Sequence, residues 1–96
     1  MKCRLLLGLS VLLAATSVTT VAQSVEDTIN EALLAAPEPL RAGATVILRD
    51  DEGHPRVIRE GTNSLVCEPD GPQPGFGVEC YHKSFQGVMD WTYQRL

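Results

Sequence analysis

Hydrophobic positions change their spacing several times along the chain, and each change marks an element. From Leu5 to Ala15 the apolar run is almost unbroken. Lys2 and Arg4 precede it, and the more polar TSVTTVA follows, ending in small residues. That order is the three-part layout of a secretory signal peptide. At eleven residues the run is well short of the roughly 20 that a membrane-spanning helix needs. The sequence predicts cleavage after Ala22, with Thr20 and Ala22 as the small residues at the site. This gives a signal peptide over 1–22 and a single small domain over 23–96. The competing reading is an uncleaved N-terminal anchor that adds the Thr-rich stretch to the apolar run, although Thr and Ser dilute its hydrophobicity. A lipoprotein anchor would need a cysteine just after the run, and Cys3 lies before it.

Beyond the leader, Val25, Ile29, Ala32, Leu33 and Ala36 recur at helical spacing and predict a short helix from Ser24. Ser24 with Asp27 three residues on resembles a capping box, where Glu or Gln is the usual partner. Pro37 and Pro39 stop this helix, because a residue before proline is pushed out of the α region. Two β-rich runs, TVILR and RVIRE, then flank DDEG. They predict a hairpin in which Gly53 supplies the positive φ of the turn and Pro55 sits at a strand start or on an edge. Val46, Ile47 and Leu48 are consecutive, so both faces of the first strand need cover. GTNSLVC predicts a third short strand ending at Cys67. The stretch EPDGPQPGFG is a stiff irregular loop. From Tyr81 onward the helical period returns, with Tyr81, Phe85, Val88, Met89, Thr92 and Leu96 on one face and Ser84 as N-cap.

Together these elements predict an α+β domain. It consists of a small β-hairpin or three-stranded meander, flanked by an N-terminal and a C-terminal helix and held by one disulfide. The disulfide follows from the address. Cys3 leaves with the leader, so the exported chain keeps Cys67 and Cys80, and two cysteines in an oxidising compartment pair. A domain of about seventy residues buries only around 60% of its unfolded-state surface and benefits from such a staple. The alternative use of the same atoms is a metal site of Cys67, Cys80 and His82, with Asp70 or Glu79 as fourth ligand. Structural zinc sites favour closely spaced cysteine pairs, which this chain lacks.

Charge narrows the partners. Without Lys2 and Arg4 the chain has six basic residues against twelve acidic ones. Such a chain is poorly suited to nucleic acid or to anionic membrane surfaces, and no stable membrane insertion is expected after cleavage. The partner class left is an envelope or extracellular protein. No cofactor is implied. DDEG lacks the spacing of an EF-hand loop and reads as a solvated turn with an exposed His54.

Three function classes remain, in descending order. The first is a binding or structural module, with Phe76, Asp70, Gln73 and Glu79 on the stapled loop as candidate contacts. The second is a fragment of a secreted enzyme using His82 with Glu79 or Asp70 as acid and base. The third is the metal module. Phe76 itself is expected more often to fold back over the core, against Ile47 or Val57, than to face outward.

The string ATV, a turn with Gly53, then R-E-G-T-N-x-x-x-C from Arg59 to Cys67 and P-G-x-x-x-x-C from Pro74 to Cys80 resembles a group of small exported bacterial proteins with no assigned activity. The similarity covers roughly residues 29–96. It implies no activity and supplies no catalytic residues. Similar proteins continue further with more helix, so Leu96 is read either as a true end within a helix or as the end of a fragment.

Overall fold

The computed structural model describes residues 17–72 and 74–96, with side chains from residue 24 onward. The leader predicted over 1–22 lies largely outside the described residues. Helix α1 runs Ser17–Ala32 and passes into a 3₁₀ turn at Leu33–Ala35. It therefore begins before Ser24, which is an interior position and not the predicted cap. The Ser24 carbonyl instead accepts the Thr28 hydroxyl at 2.9 Å. The predicted apolar face is otherwise in place: Ile29, Ala32, Leu33 and Ala36 are buried, while Val25 is exposed. Ala36, before Pro37, is extended at φ −89°, ψ 144°, as the proline requires. A single turn, α2 at Glu38–Arg41, follows.

The hairpin forms as predicted from β1, Thr45–Arg49, and β2, Pro55–Arg59. Their antiparallel register matches Ile47 with Val57 and Arg49 with Pro55. Gly53 has φ +85°, and a Cβ there would lie 2.5 Å from the Tyr93 carbonyl oxygen. The turn thus needs glycine twice, for its backbone and for the helix end lying against it.

Strand β3, Leu65–Glu68, does not continue a meander beside β2. The sheet order is β2-β1-β3-β4, with β3 parallel to β1 at Thr45↔Val66 and Val46↔Cys67. β2 returns the chain to the start of β1, so a short corner suffices to step round that end. The Thr62 and Asn63 N–H groups both donate to the Gly43 carbonyl, at 2.7 and 2.9 Å. A Cβ on Gly61 would fall 2.4 Å from the Gly43 oxygen and the Thr45 nitrogen. The G-T-N string is this corner.

A fourth strand, β4 at Glu79–His82, replaces the predicted start of the C-terminal helix. It pairs antiparallel with β3, with Cys67 opposite Cys80 and Val66 opposite Tyr81. The disulfide Cys67–Cys80 joins these registered partners, whose Cα atoms are 4.1 Å apart. The bridge pins Tyr81 to the sheet, and helix begins only later, as a 3₁₀ turn at Lys83–Phe85 and α3 at Gln86–Tyr93. The cap is the His82 side chain, which accepts the Ser84 N–H, and not Ser84. Phe85, Val88 and Leu96, predicted to face a core, are exposed.

This is an α+β domain with helices before and after a mixed sheet and one disulfide. Its core of Ile29, Ala32, Leu33, Ala36, Ala44, Val46 and Cys67 lies between the first helix and one sheet face. The other face carries Arg49 and Glu68, which period-two alternation sets opposite Val46 and Cys67. Among the described residues, no helix is long and apolar enough to cross a membrane.

Candidate functional site

At the end of β1, Arg49 turns inward, with only 8% of its side chain exposed. All five of its N–H donors are engaged. Nε and one Nη2 hydrogen meet the two oxygens of Glu68, each at 2.8 Å. Nη1 donates to Asp90 Oδ1 at 2.8 Å and to the Gly53 carbonyl at 2.9 Å. Nη2 also reaches the Tyr81 hydroxyl at 3.3 Å. The Tyr93 ring lies 4.6 Å from the guanidinium carbon. The Tyr81 hydroxyl donates to Glu68 at 2.5 Å, and that of Tyr93 donates to Glu79. Strand, turn, neighbouring strand and C-terminal helix therefore converge on one cation.

The titration of these groups follows their surroundings. Burial acts to lower the Arg49 pKa, but the hydrogen bonds to Glu68 and Asp90 outweigh it and the net shift is upward. Burial, reinforced by Glu68, raises the Tyr81 phenol; burial and Glu79 do the same for Tyr93. Arg49 therefore remains a cation and both tyrosines remain hydrogen-bond donors at ordinary pH. The cluster locks α3 to the sheet. Sequence reading passed over it, although an arginine two positions after Ile47 in a covered strand, and a glutamate directly after a core cysteine, were visible signals.

The loop between the two cysteines stands beside this lock. Asp70 braces it: its N–H donates to Glu31 at 2.7 Å, and its carboxylate accepts the Gly77 N–H at 2.8 Å. Gly75 supplies a positive φ of 84°. Phe76 is 68% exposed, and so is not folded over Ile47 or Val57 as expected. Ile47 is already buried, and α3 with the Arg49 layer covers that side of the sheet. Gln73, named with Phe76 as a contact, lies outside the described residues. Glu79 is half-buried and engaged by Tyr93.

Two clefts flank the loop. One, of about 270 Å³, lies between the hairpin turn, Pro69–Pro72 and the end of α3, with Arg49 and Glu68 at its deep end. The other, of about 440 Å³, lies between Gly75–Val78 and Met89 and Thr92. Asp70, Gly71, Tyr93 and Leu96 line both.

The residues weighed as an acid–base set each have a different partner. His82 Nδ1 lies 2.9 Å from Ser84 Oγ, Glu79 is held by Tyr93, and Asp70 by Gly77. His82 and Glu79 are also three apart on a strand, hence on opposite faces. Both cysteine sulfurs are committed to the disulfide and are not available as thiolate ligands. Among the described residues, Asp50, Glu52 and His54 are a group with metal-type side chains near one another, and all three are exposed on the hairpin turn. No protein-family model, curated protein or solved structure matches the chain.

Proposed function

We propose that the protein is an exported module, stapled by its disulfide, that binds a protein of the cell envelope or secreted fraction through the loop between Cys67 and Cys80. The observation that carries this reading is Phe76, an aromatic ring 68% exposed on a loop braced at both ends. A loop so restrained loses little conformational entropy when it docks, which favours recognition. Its shape can also vary without disturbing the core beneath the sheet. The leader composition supports export, and a disulfide is the cross-link that exported chains keep.

Two experiments test the reading. N-terminal sequencing of protein from periplasm or medium is expected to begin at Gln23; a form retaining Met1 that sediments with membranes overturns export. Phe76→Ala is expected to leave the melting temperature nearly unchanged while reducing capture of an envelope or secreted partner. Undiminished capture removes the loop from the binding surface.

A further inference from the structure

We propose that the clefts on either side of Asp70 form one groove, which docks a segment of a partner polypeptide carrying a basic residue close to an aromatic or aliphatic one. This rests on the loop reading above and specifies the partner's chemistry. The two clefts share Asp70, Gly71, Tyr93 and Leu96, so a chain lying along the loop passes from one into the other.

One end of the groove is acidic. Asp50, Asp51 and Asp70 are exposed there. The one cation in that lining is Arg49, whose donors are all turned to groups of the protein itself. It presents no free N–H to a visiting anion, and its charge is answered by Glu68 and Asp90. Asp50 faces the His54 ring at 3.6 Å, so Asp51 and Asp70 chiefly set the local field, which concave walls concentrate. Backbone N–H groups, of His54 first and then Glu52, hold Asp50 below the usual carboxylate range, so it keeps its charge in mildly acidic surroundings.

The other end is apolar. Phe76, Val78 and Met89 line it, and no charged residue besides Asp70 and Glu79 does so. The Glu79 carboxylate is engaged by Tyr93. The first cleft falls below the ordinary size of small-molecule pockets, roughly 300–1,000 Å³, and the second lies in the lower half of that range. A cleft as small as the first suits a single basic side chain. Phosphate-bearing surfaces are the wrong sign for the acidic end. A basic side chain in the first cleft and an apolar one in the second satisfy both.

The test is an NMR titration of the isotope-labelled, oxidised protein with capped peptides. Each peptide carries one arginine and one phenylalanine separated by zero to four glycines. Control peptides replace the arginine with glutamate or the phenylalanine with glycine. At least one spacing is expected to saturate, shifting the amides of Asp51, Asp70 and Phe76. Both controls should bind more weakly. The double variant Asp51→Asn, Asp70→Asn keeps the amide oxygen that holds Gly77 and should weaken binding about fivefold, as two exposed ion pairs would. Saturation by no spacing overturns the groove, as does equal binding of the glutamate peptide. Concentration-dependent shifts of the same amides without peptide also overturn it, by assigning the face to a second copy of the chain. If Phe76→Ala reduces partner capture while the peptides fail, the loop reading stands and the groove chemistry falls. If capture is also unchanged, both fall.

Discussion

Arg49 and Glu68 face each other through two parallel hydrogen bonds of 2.8 Å, with 8% and 6% of their side chains exposed. A paired guanidinium and carboxylate at this depth is not in itself a large source of stability, because each ion was well solvated in the unfolded chain. Its removal by halves is another matter. Arg49→Ala should destabilise the domain by about 3–5 kcal/mol in denaturant titrations, since Glu68 is left buried without its partner. The double variant Arg49→Met, Glu68→Leu should recover a substantial part of that loss. If Arg49→Ala proves neutral, the cluster does not hold α3 in place.

The disulfide gives a second expectation. Cys67→Ser and Cys80→Ser should each cost about 2–5 kcal/mol, the range for small secreted domains. Mass spectrometry of the folded chain should show it lighter than its reduced form by two hydrogens. Free thiols in air-oxidised protein would contradict the bridge.

Two glycines should respond with opposite sign. Gly61→Ala places a methyl group 2.4 Å from backbone atoms of Gly43 and Thr45, with no flexible side chain to yield. A loss of about 1–3 kcal/mol is expected, as for other overpacked sites. Gly87 lies in α3 with nothing within 4 Å of its absent Cβ. Gly87→Ala should raise stability by up to about 1 kcal/mol. Thermal melts of the two variants decide both.

Alkaline pH should loosen the domain. The Tyr81 and Tyr93 phenols titrate above free tyrosine, chiefly because burial disfavours the phenolate. Their folded pKa values exceed the unfolded ones, so their contribution is complete below the ordinary tyrosine pKa of about 10. It falls as pH climbs above that point, where the unfolded chain releases its protons first. Ultraviolet difference spectra should show delayed phenol ionisation. Tyr81→Phe and Tyr93→Phe should each flatten the alkaline loss of stability.

Local pattern carried much of this fold. The β1–β2 turn was legible because Gly53 and Pro55 have narrow conformational uses, and α1's buried face because its apolar residues keep the helical period. β4 was not legible: Glu79 to His82 is too short for a strand period to stand out against the helical one after it. Its pairing depends on Cys67, thirteen residues away. The parallel β1–β3 arrangement was hidden for a similar reason, since the corner that leads into it packs Gly61 on Gly43, a contact that no periodicity encodes. At the candidate site, sequence identified the stapled loop but misplaced Phe76. Whether an aromatic folds inward depends on what already fills the core, which here includes a polar layer assembled from four separate stretches of chain.

The mixed sheet has an uneven seam. β1 pairs with β2, and β3 with β4, over four registered positions each, whereas β1 and β3 meet over two. Past Val46 and Cys67, the two central strands are joined by the Arg49 side chain reaching Glu68 and not by a backbone ladder. The sheet is therefore two strand pairs held at one end by the core around Val46 and Cys67 beneath the first helix, and buttoned at the other by one ion pair. Local opening with the lowest free energy should run along this seam, leaving each pair's own amides protected longer from hydrogen exchange. Because the button also forms the deep end of the acidic cleft, a guest seated there rests on the fastening itself, and its arrival would be felt as a change in how readily the two halves part.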